Sequence, residues 1–254
     1  MTIRYILEVM YDGTCFHGSQ VQGLTPTVQL SVNNTLSTLL RQPVSTTGAS
    51  RTDEGVHALC NFYHFDTDQI PAHDFIYKCN AILPAGLAAV KLWRATSPTF
   101  NARFDASQRT YRYRIYHKKN PFLVNRALFY PFPLSLDALS AAAGHIREQT
   151  YFESFAKRNM QSKTFNCIIA ASEWEQHQGE LHYIVTANRF LRGMVRGLVA
   201  TQLKVARDGG GLPQMAAIFQ AANPAAARFN VPGFGLYLEK ITYPDGLLEP
   251  FQDH

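Results

Sequence analysis

Two ionisable side chains in the segment GASRTDEGVHALCNFYHF, residues 48–65, have the types and spacing of a catalytic pair. The carboxyl group of Asp53 comes two residues after the guanidinium of Arg51. A nearby arginine keeps an aspartate ionised and oriented, as a nucleophile requires. Asp-Glu-Gly is also ordinary turn material, whose charges can simply face water. The segment therefore predicts either a nucleophile on a loop or a solvated turn.

A second candidate is the alternating segment FNARFDASQRTYRYRIY, residues 100–116. In a strand, Tyr111 and Tyr113 lie on one face, and Arg112 and Arg114 lie on the other. An aromatic stripe on a strand usually belongs to the core. Aromatic faces interleaved with arginines are also used by RNA-binding sheets to stack bases and hold phosphates. Tyr111 and Tyr113 are therefore candidate base contacts, with a core role as the alternative.

A third candidate is the basic segment NRFLRGMVRGLVATQLKVA, which begins at residue 188. Its apolar spacing predicts one long helix over residues 189–206. On such a helix Arg189, Arg192 and Arg196 share a face, being spaced i, i+3 and i+7. Such a stripe is most often the solvated side of a helix, and otherwise a ridge facing phosphates or a buried carboxylate. The three arginines are candidate substrate contacts.

The elements that must position these residues follow a pattern that occurs twice along the chain. Alternating apolar residues predict strands, and spacings of three and four residues predict amphipathic helices. Helices are predicted over residues 28–41, 73–82, 135–148 and 213–222, besides the basic one, with Ser135 as an N-cap. Strands are predicted near both ends of the chain and at 44–65, 87–96, 109–121, 166–174 and 180–187. Each half therefore reads as a small α+β unit.

Composition narrows the class of protein. The chain has 254 residues, 46% of them hydrophobic, and a formal net charge of +5. This is enough apolar material for a sizeable core, and the basic charge weakly favours a nucleic acid partner. The four cysteines lie far apart, so their spacing does not suggest a zinc site. Without a signal peptide or a long apolar run, the sequence predicts a cytoplasmic protein that is not embedded in a membrane.

Taken together, six segments resemble one family, the tRNA pseudouridine synthases of the TruA type. These segments are YDGTCFHGSQVQ, RTDEGVHA, FNARFDASQRTYRYRIY, FESFAK, FLRGMVRGLV and GLYLEKITYP, in this order along nearly the whole chain. The resemblance implies an α+β fold of two ferredoxin-like (RRM-like) halves that share a central mixed, mainly antiparallel sheet with flanking helices. The expected halves are residues 1–104 and 105–254. The resemblance also implies a homodimer that binds tRNA, with no role for DNA.

The resemblance further implies an isomerase that converts uridine to pseudouridine at positions 38, 39 and 40 of the tRNA anticodon stem-loop. Asp53 matches the family's catalytic aspartate, and Arg51 the arginine that helps to displace the target base. Tyr111 matches the active-site tyrosine, Arg196 the arginine that pairs with the aspartate, and Leu236 a residue lining the pocket. The reaction has no net redox change, so neither a cofactor nor a metal is expected.

Several residues depart from the usual family pattern. Ser50 stands where a glycine normally precedes the arginine, Glu54 follows the aspartate in place of a small residue, and Ser19 replaces a tryptophan. Gly193 and Gly197 occupy helix positions that are often polar. These departures bear on the choice of substrate more than on the chemistry. Two alternatives to an enzyme are a paralogue that binds structured RNA without modifying it, and an RRM-like module that reads single strands through Tyr111 and Tyr113.

Overall fold

A computed structural model describes residues 2–157 and 164–251. The chain divides into two compact units. Unit 1 comprises the residues up to Ser107 and those from Leu238 onward, and unit 2 comprises Gln108–Tyr237. The division between residues 104 and 105 stays a prediction.

Unit 1 is an antiparallel sheet with two helices. Its strands include β1, which pairs with β3 on one side and with β4 on the other, and β10, which pairs with the outer edge of β4. A short strand, β2, pairs with β3. Strand β9 contains the unit boundary, and its unit 1 part lies next to β3. The elements are β1 (Ile3–Tyr11), α1 (Val28–Leu40), β2 (Thr47–Gly48), β3 (His57–Thr67), α2 (Phe75–Ile82), β4 (Leu87–Ala95), β9 (Leu236–Thr242) and β10 (Leu248–Pro250).

Unit 2 has an antiparallel sheet in the order β5–β8–β7, and a two-residue strand, β6, runs parallel to β5. Helix α3 packs on β7 and α5. The Ser135 hydroxyl caps α3 by accepting a hydrogen bond from the Ala138 amide, 3.2 Å away, which confirms the predicted cap. The elements are β5 (Gln108–Tyr116), β6 (Leu128–Phe129), α3 (Leu136–Glu148), β7 (Ile169–His177), β8 (Glu180–Ala187), α4 (Met194–Asp208) and α5 (Gly211–Gln220).

The α+β class and the mainly antiparallel pairing are confirmed. Burial follows the predicted alternation in part: Tyr5, Leu7 and Val9 of β1 are buried and Met10 is 43% exposed, but Ile6 between them is also fully buried. In the part of the chain that the structure describes, no helix is long and apolar enough to cross a membrane.

The helix predicted over residues 189–206 is wrong at its start. Helix α4 begins at Met194, and Gly193 before it has a φ of +72°. Residues in this left-handed region cannot continue a right-handed helix, and glycine adopts it without steric cost. Arg189 and Arg192 therefore precede the helix, and they do not share a helical face with Arg196.

Candidate active-site elements

The loop of residues 49–56, between β2 and β3 of unit 1, carries Arg51 and Asp53. Its first turn is tied to β3: the Ala49 amide donates to the Phe62 carbonyl at 2.8 Å. The Asn61 side chain forms hydrogen bonds with both backbone groups of Ser50. It accepts from the Ser50 amide at 3.3 Å and donates to the Ser50 carbonyl at 3.1 Å. Asn61 is fully buried, and Ser50 is partly buried. The backbone directly before Arg51 is thereby fixed.

Thr52, between the arginine and the aspartate, is anchored by buried groups. Its amide donates to the Ser19 hydroxyl at 2.8 Å, and its carbonyl accepts from the Ser19 amide at 3.0 Å. The Thr52 and Tyr11 hydroxyls lie 2.8 Å apart, and Asn61 donates to the Tyr11 hydroxyl at 3.2 Å. We call Tyr11, Ser19, Thr52 and Asn61 the loop clamp. All four are less than 9% exposed, and burial raises the pKa of Tyr11 to about 12, so its hydroxyl stays neutral.

The clamp presents the two candidate residues in different environments. Arg51 is exposed, whereas Asp53 is partly buried. The Asp53 carbonyl accepts from the Val56 amide at 3.2 Å, which closes the turn after the carboxylate. Asp53 thus stands on a hydrogen-bonded loop between two strands, a position in which catalytic side chains are often found.

Two departures from the family pattern can be judged on this loop. Ser50 does not have a positive φ, so a serine fits there without backbone strain. The Glu54 carboxylate is exposed and lies 3.4 Å from His17 Nδ1. Each side chain is therefore accommodated locally.

In unit 2, the tyrosines of β5 differ in their surroundings. Tyr111 is 8% exposed and packs edge-to-face on Phe190, with ring centroids 5.2 Å apart. Tyr113 has no exposed surface, and its hydroxyl donates to the Pro232 carbonyl at 3.0 Å. Burial raises the pKa of Tyr113. This geometry is that of a core tyrosine, and it favours the core alternative for Tyr113 over a base contact.

Arg196 lies in the first turn of α4, and its Nε donates to the Val231 carbonyl at 2.9 Å. The neighbouring turn packs closely, because a Cβ at Gly197 would lie 2.7 Å from the Phe229 ring. Leu236, 6% exposed, begins β9. Arg192 is exposed on the segment before α4, and Arg189 is partly buried. Unit 2 thus holds Tyr111, Arg196 and Leu236, and unit 1 holds Arg51 and Asp53.

Comparisons with known proteins agree on one family, with a family model that covers part of the chain and relatives that cover nearly all of it. Residues 148–244 match the model of a tRNA pseudouridine synthase family. The chain is 37% identical to tRNA pseudouridine synthase A of Parabacteroides distasonis, covering 98% of this chain and 99% of that relative. It is 36% identical to that of Bacteroides thetaiotaomicron, covering 96% and 92%, and 34% identical to that of Neisseria gonorrhoeae, covering 97% and 95%. The chain belongs to the tRNA pseudouridine synthase family.

Membership in the tRNA pseudouridine synthase family confirms the resemblance that the six segments carried. The relatives align over the Asp53 loop as well as over α4, since they cover almost the whole chain. Among residues 2–157 and 164–251, no group of three or more histidine, cysteine or acidic side chains is arranged to hold a metal ion.

Sequence reasoning missed most of what holds the loop of this pseudouridine synthase. Tyr11 and Asn61 are separated by 50 residues and meet only because β1 pairs with β3. His57 at the start of β3 is also buried, and its Nδ1 lies 3.2 Å from both the Gly13 amide nitrogen and Asp12 Oδ1. The sequence signal that could have indicated these contacts is the presence of polar residues within otherwise apolar strands.

Proposed function

We propose that this protein converts uridine to pseudouridine at positions 38, 39 and 40 of the tRNA anticodon stem-loop, with Asp53 as the nucleophile. The observation that carries the proposal is the loop clamp, which holds the backbone on the N-terminal side of Asp53 through three buried hydrogen bonds and a partly buried one. A binding protein has no need for a fixed carboxylate, which repels the phosphates of its ligand. A nucleophile needs a fixed approach to the reacting atom.

The reaction breaks the bond between N1 of uracil and C1′ of ribose and joins C5 to C1′. Asp53 forms a transient bond either to C1′ or to the uracil ring, and expulsion of the carboxylate completes the exchange. C5 loses its proton and N1 gains one, so no electrons, protons or groups are taken up overall. The detached uracil must stay in the site while it turns.

The other assigned residues support these steps. Tyr111 packs against the base and receives the C5 proton, directly or through water. The Arg196 guanidinium keeps the nucleophile ionised, because an unpaired carboxylate in an apolar site tends to protonate. Arg51 fills the space left by the extruded nucleotide, whose extrusion costs a few kcal/mol. Leu236 contributes an apolar wall, and Arg189 and Arg192 contact the tRNA backbone.

The proposal includes the setting of the enzyme. It acts on tRNA in the cytoplasm, as a homodimer, without a cofactor, and it does not act on DNA. The similarity to the tRNA pseudouridine synthases of Parabacteroides distasonis and Neisseria gonorrhoeae supports tRNA as the substrate.

The test is release of tritium from tRNA labelled at C5 of uridine. The wild-type protein is expected to release tritium, and Asp53→Asn is expected to release none while binding tRNA with similar affinity. Asp53→Asn nearly preserves the side-chain shape, so the variant is expected to fold like the wild-type protein. Matching circular dichroism spectra check this. A wild-type protein that binds tRNA but releases no tritium would refute the proposal and favour an RNA-binding paralogue.

A further inference from the structure

A pocket of about 220 Å³ lies in unit 1, beside the part of the Asp53 loop that contains Ser50 and Arg51. We call it the loop pocket. It is smaller than the roughly 300–1,000 Å³ of pockets that enclose drug-sized ligands, so it suits a fragment of a larger molecule. Its lining residues are Ser19, Gln20, Gln29, Thr47, Gly48, Ser50, Arg51, Tyr63 and Arg103.

The lining has the composition of an anion site. Two guanidinium groups, from Arg51 and Arg103, accompany amide and hydroxyl groups, and no carboxylate is among the lining residues. Guanidinium groups bind phosphate oxygens with charge-assisted, often bidentate hydrogen bonds. Arg103 is exposed, and its guanidinium lies over the Phe104 ring at 5.4 Å. The pocket therefore fits a negatively charged, oxygen-rich group.

The walls of the loop pocket are fixed by the fold. Gln29 donates to the Thr46 carbonyl at 2.6 Å and accepts from the Val21 amide at 3.1 Å, which sets the orientation of its amide. A Cβ at Gly48 would lie 2.9 Å from the Tyr63 ring, so the missing side chain allows that ring to form a wall. The buried Tyr63 hydroxyl has no hydrogen-bond partner within the described residues, which leaves one lining residue with unused hydrogen-bonding capacity.

The loop pocket and the catalytic loop share residues. Ser19 lines the pocket and also bonds the Thr52 backbone, and Ser50 and Arg51 belong to both. A group bound in the pocket therefore contacts the segment that leads directly into Asp53. Binding there would restrain the nucleophile's backbone.

We propose that the loop pocket binds one backbone phosphodiester of the tRNA, next to the uridine that is isomerised, and that Arg103 is its principal new contact. The inference rests on the proposed function, because tRNA is the polyanion that function supplies. Arg103 acts as a binding residue, which grips the strand while the neighbouring nucleotide is extruded.

The experiment measures binding of an anticodon stem-loop RNA as a function of salt concentration. Arg103→Ala is expected to bind about tenfold more weakly at 0.1 M salt. The salt slope, which is the steepness with which log affinity falls with log salt concentration, should decrease by about 1, since one phosphate contact is lost. Arg94→Ala, which removes an exposed arginine of the same unit outside the pocket, is the charge-matched control and is expected to retain the wild-type slope.

A second arm locates the phosphodiester. Stem-loop RNAs carrying one neutral methylphosphonate linkage, moved stepwise past the target uridine, are bound to both proteins. One position should weaken wild-type binding about tenfold and weaken Arg103→Ala much less, because the principal contact is already absent. Equal losses in both proteins at every position, or equal slopes for Arg103→Ala and Arg94→Ala, would overturn the proposal. Tritium release by the wild-type protein is measured in parallel, so failure of the pocket is distinguished from failure of the enzyme assignment.

Discussion

Removal of the Asn61 side chain tests whether the loop clamp positions the nucleophile. In Asn61→Ala, the Ser50 amide and carbonyl and the Tyr11 hydroxyl lose a partner, and the Phe62 amide loses an accepting oxygen at 3.0 Å. Each lost hydrogen bond costs about 0.5–1.5 kcal/mol net. Water reaches the partly buried Ser50 and replaces some of these bonds. We expect the free energy of unfolding to fall by about 3 kcal/mol, which a typical domain survives.

The effect on activity should be larger than this loss of stability suggests. A displacement of about 1 Å at a reacting group can lower the rate about 100-fold. We expect kcat for tritium release to fall by about 10- to 100-fold and KM for tRNA to rise by less, because Arg51 is the one proposed RNA-contacting arginine on the loop that Asn61 holds. Urea denaturation supplies the stability, and steady-state tritium release supplies kcat and KM.

A matched control exists in the same unit. The Asn80 side chain likewise forms hydrogen bonds with both backbone groups of Ala89, donating to the carbonyl at 2.9 Å and accepting from the amide at 2.8 Å. Asn80 is exposed and distant in sequence from the loop, so Asn80→Ala should cost about 1 kcal/mol and leave kcat unchanged. If Asn61→Ala loses stability but keeps the wild-type kcat, the clamp does not position the nucleophile.

Three further substitutions test the packing of unit 2. Tyr113→Phe should lower the free energy of unfolding by about 1 kcal/mol, through the lost bond to the Pro232 carbonyl, and leave tRNA affinity unchanged; weaker tRNA binding would show that Tyr113 contacts substrate. Gly197→Ala should lower the free energy of unfolding, measured by urea denaturation, by about 1–3 kcal/mol, because the new methyl group meets the Phe229 ring. This is expected although alanine favours a helix over glycine by about 1 kcal/mol. A stabilised variant would contradict the contact with Phe229. Burial lowers the pKa of His182, so stability should be full above its unfolded pKa of about 6.5 and decline as pH falls below it. His182→Gln should reduce that decline between pH 7.5 and pH 5, and an unchanged pH profile in urea denaturation would exclude His182 as its source.

The regular elements were predictable because their signals are local. Alternation identified β1 and β5, and Ser135 marked the start of α3, since a cap is set by residues within one turn. The start of α4 was not predictable from spacing alone. The i, i+3, i+7 arginine pattern continues through Gly193, whose left-handed conformation depends on the fold around it.

The candidate site was predictable only in part, for a related reason. Asp53 and Arg51 stand out because two charged groups lie close together in the chain. The groups that hold them are neutral and come from four places, at residues 11, 19, 52 and 61. Hydrogen bonds from side chains to the backbone leave no periodic pattern in a sequence. The contact between Tyr11 and Asn61 depends on the register of β1 against β3.

The clamp explains the departure at residue 19 and accommodates the one at residue 50. Both serines occupy backbone-bonded positions of the loop: Ser19 accepts from Thr52, and Ser50 is held at its amide and carbonyl by Asn61. Neither position requires a positive φ, so serine is compatible with both. A tryptophan at residue 19 could not accept a hydrogen bond from the Thr52 amide through its side chain, because its indole nitrogen only donates. The small serine at residue 19 therefore has two roles in this chain: its hydroxyl anchors the Asp53 loop at Thr52, and its side chain lines the loop pocket beside Arg51.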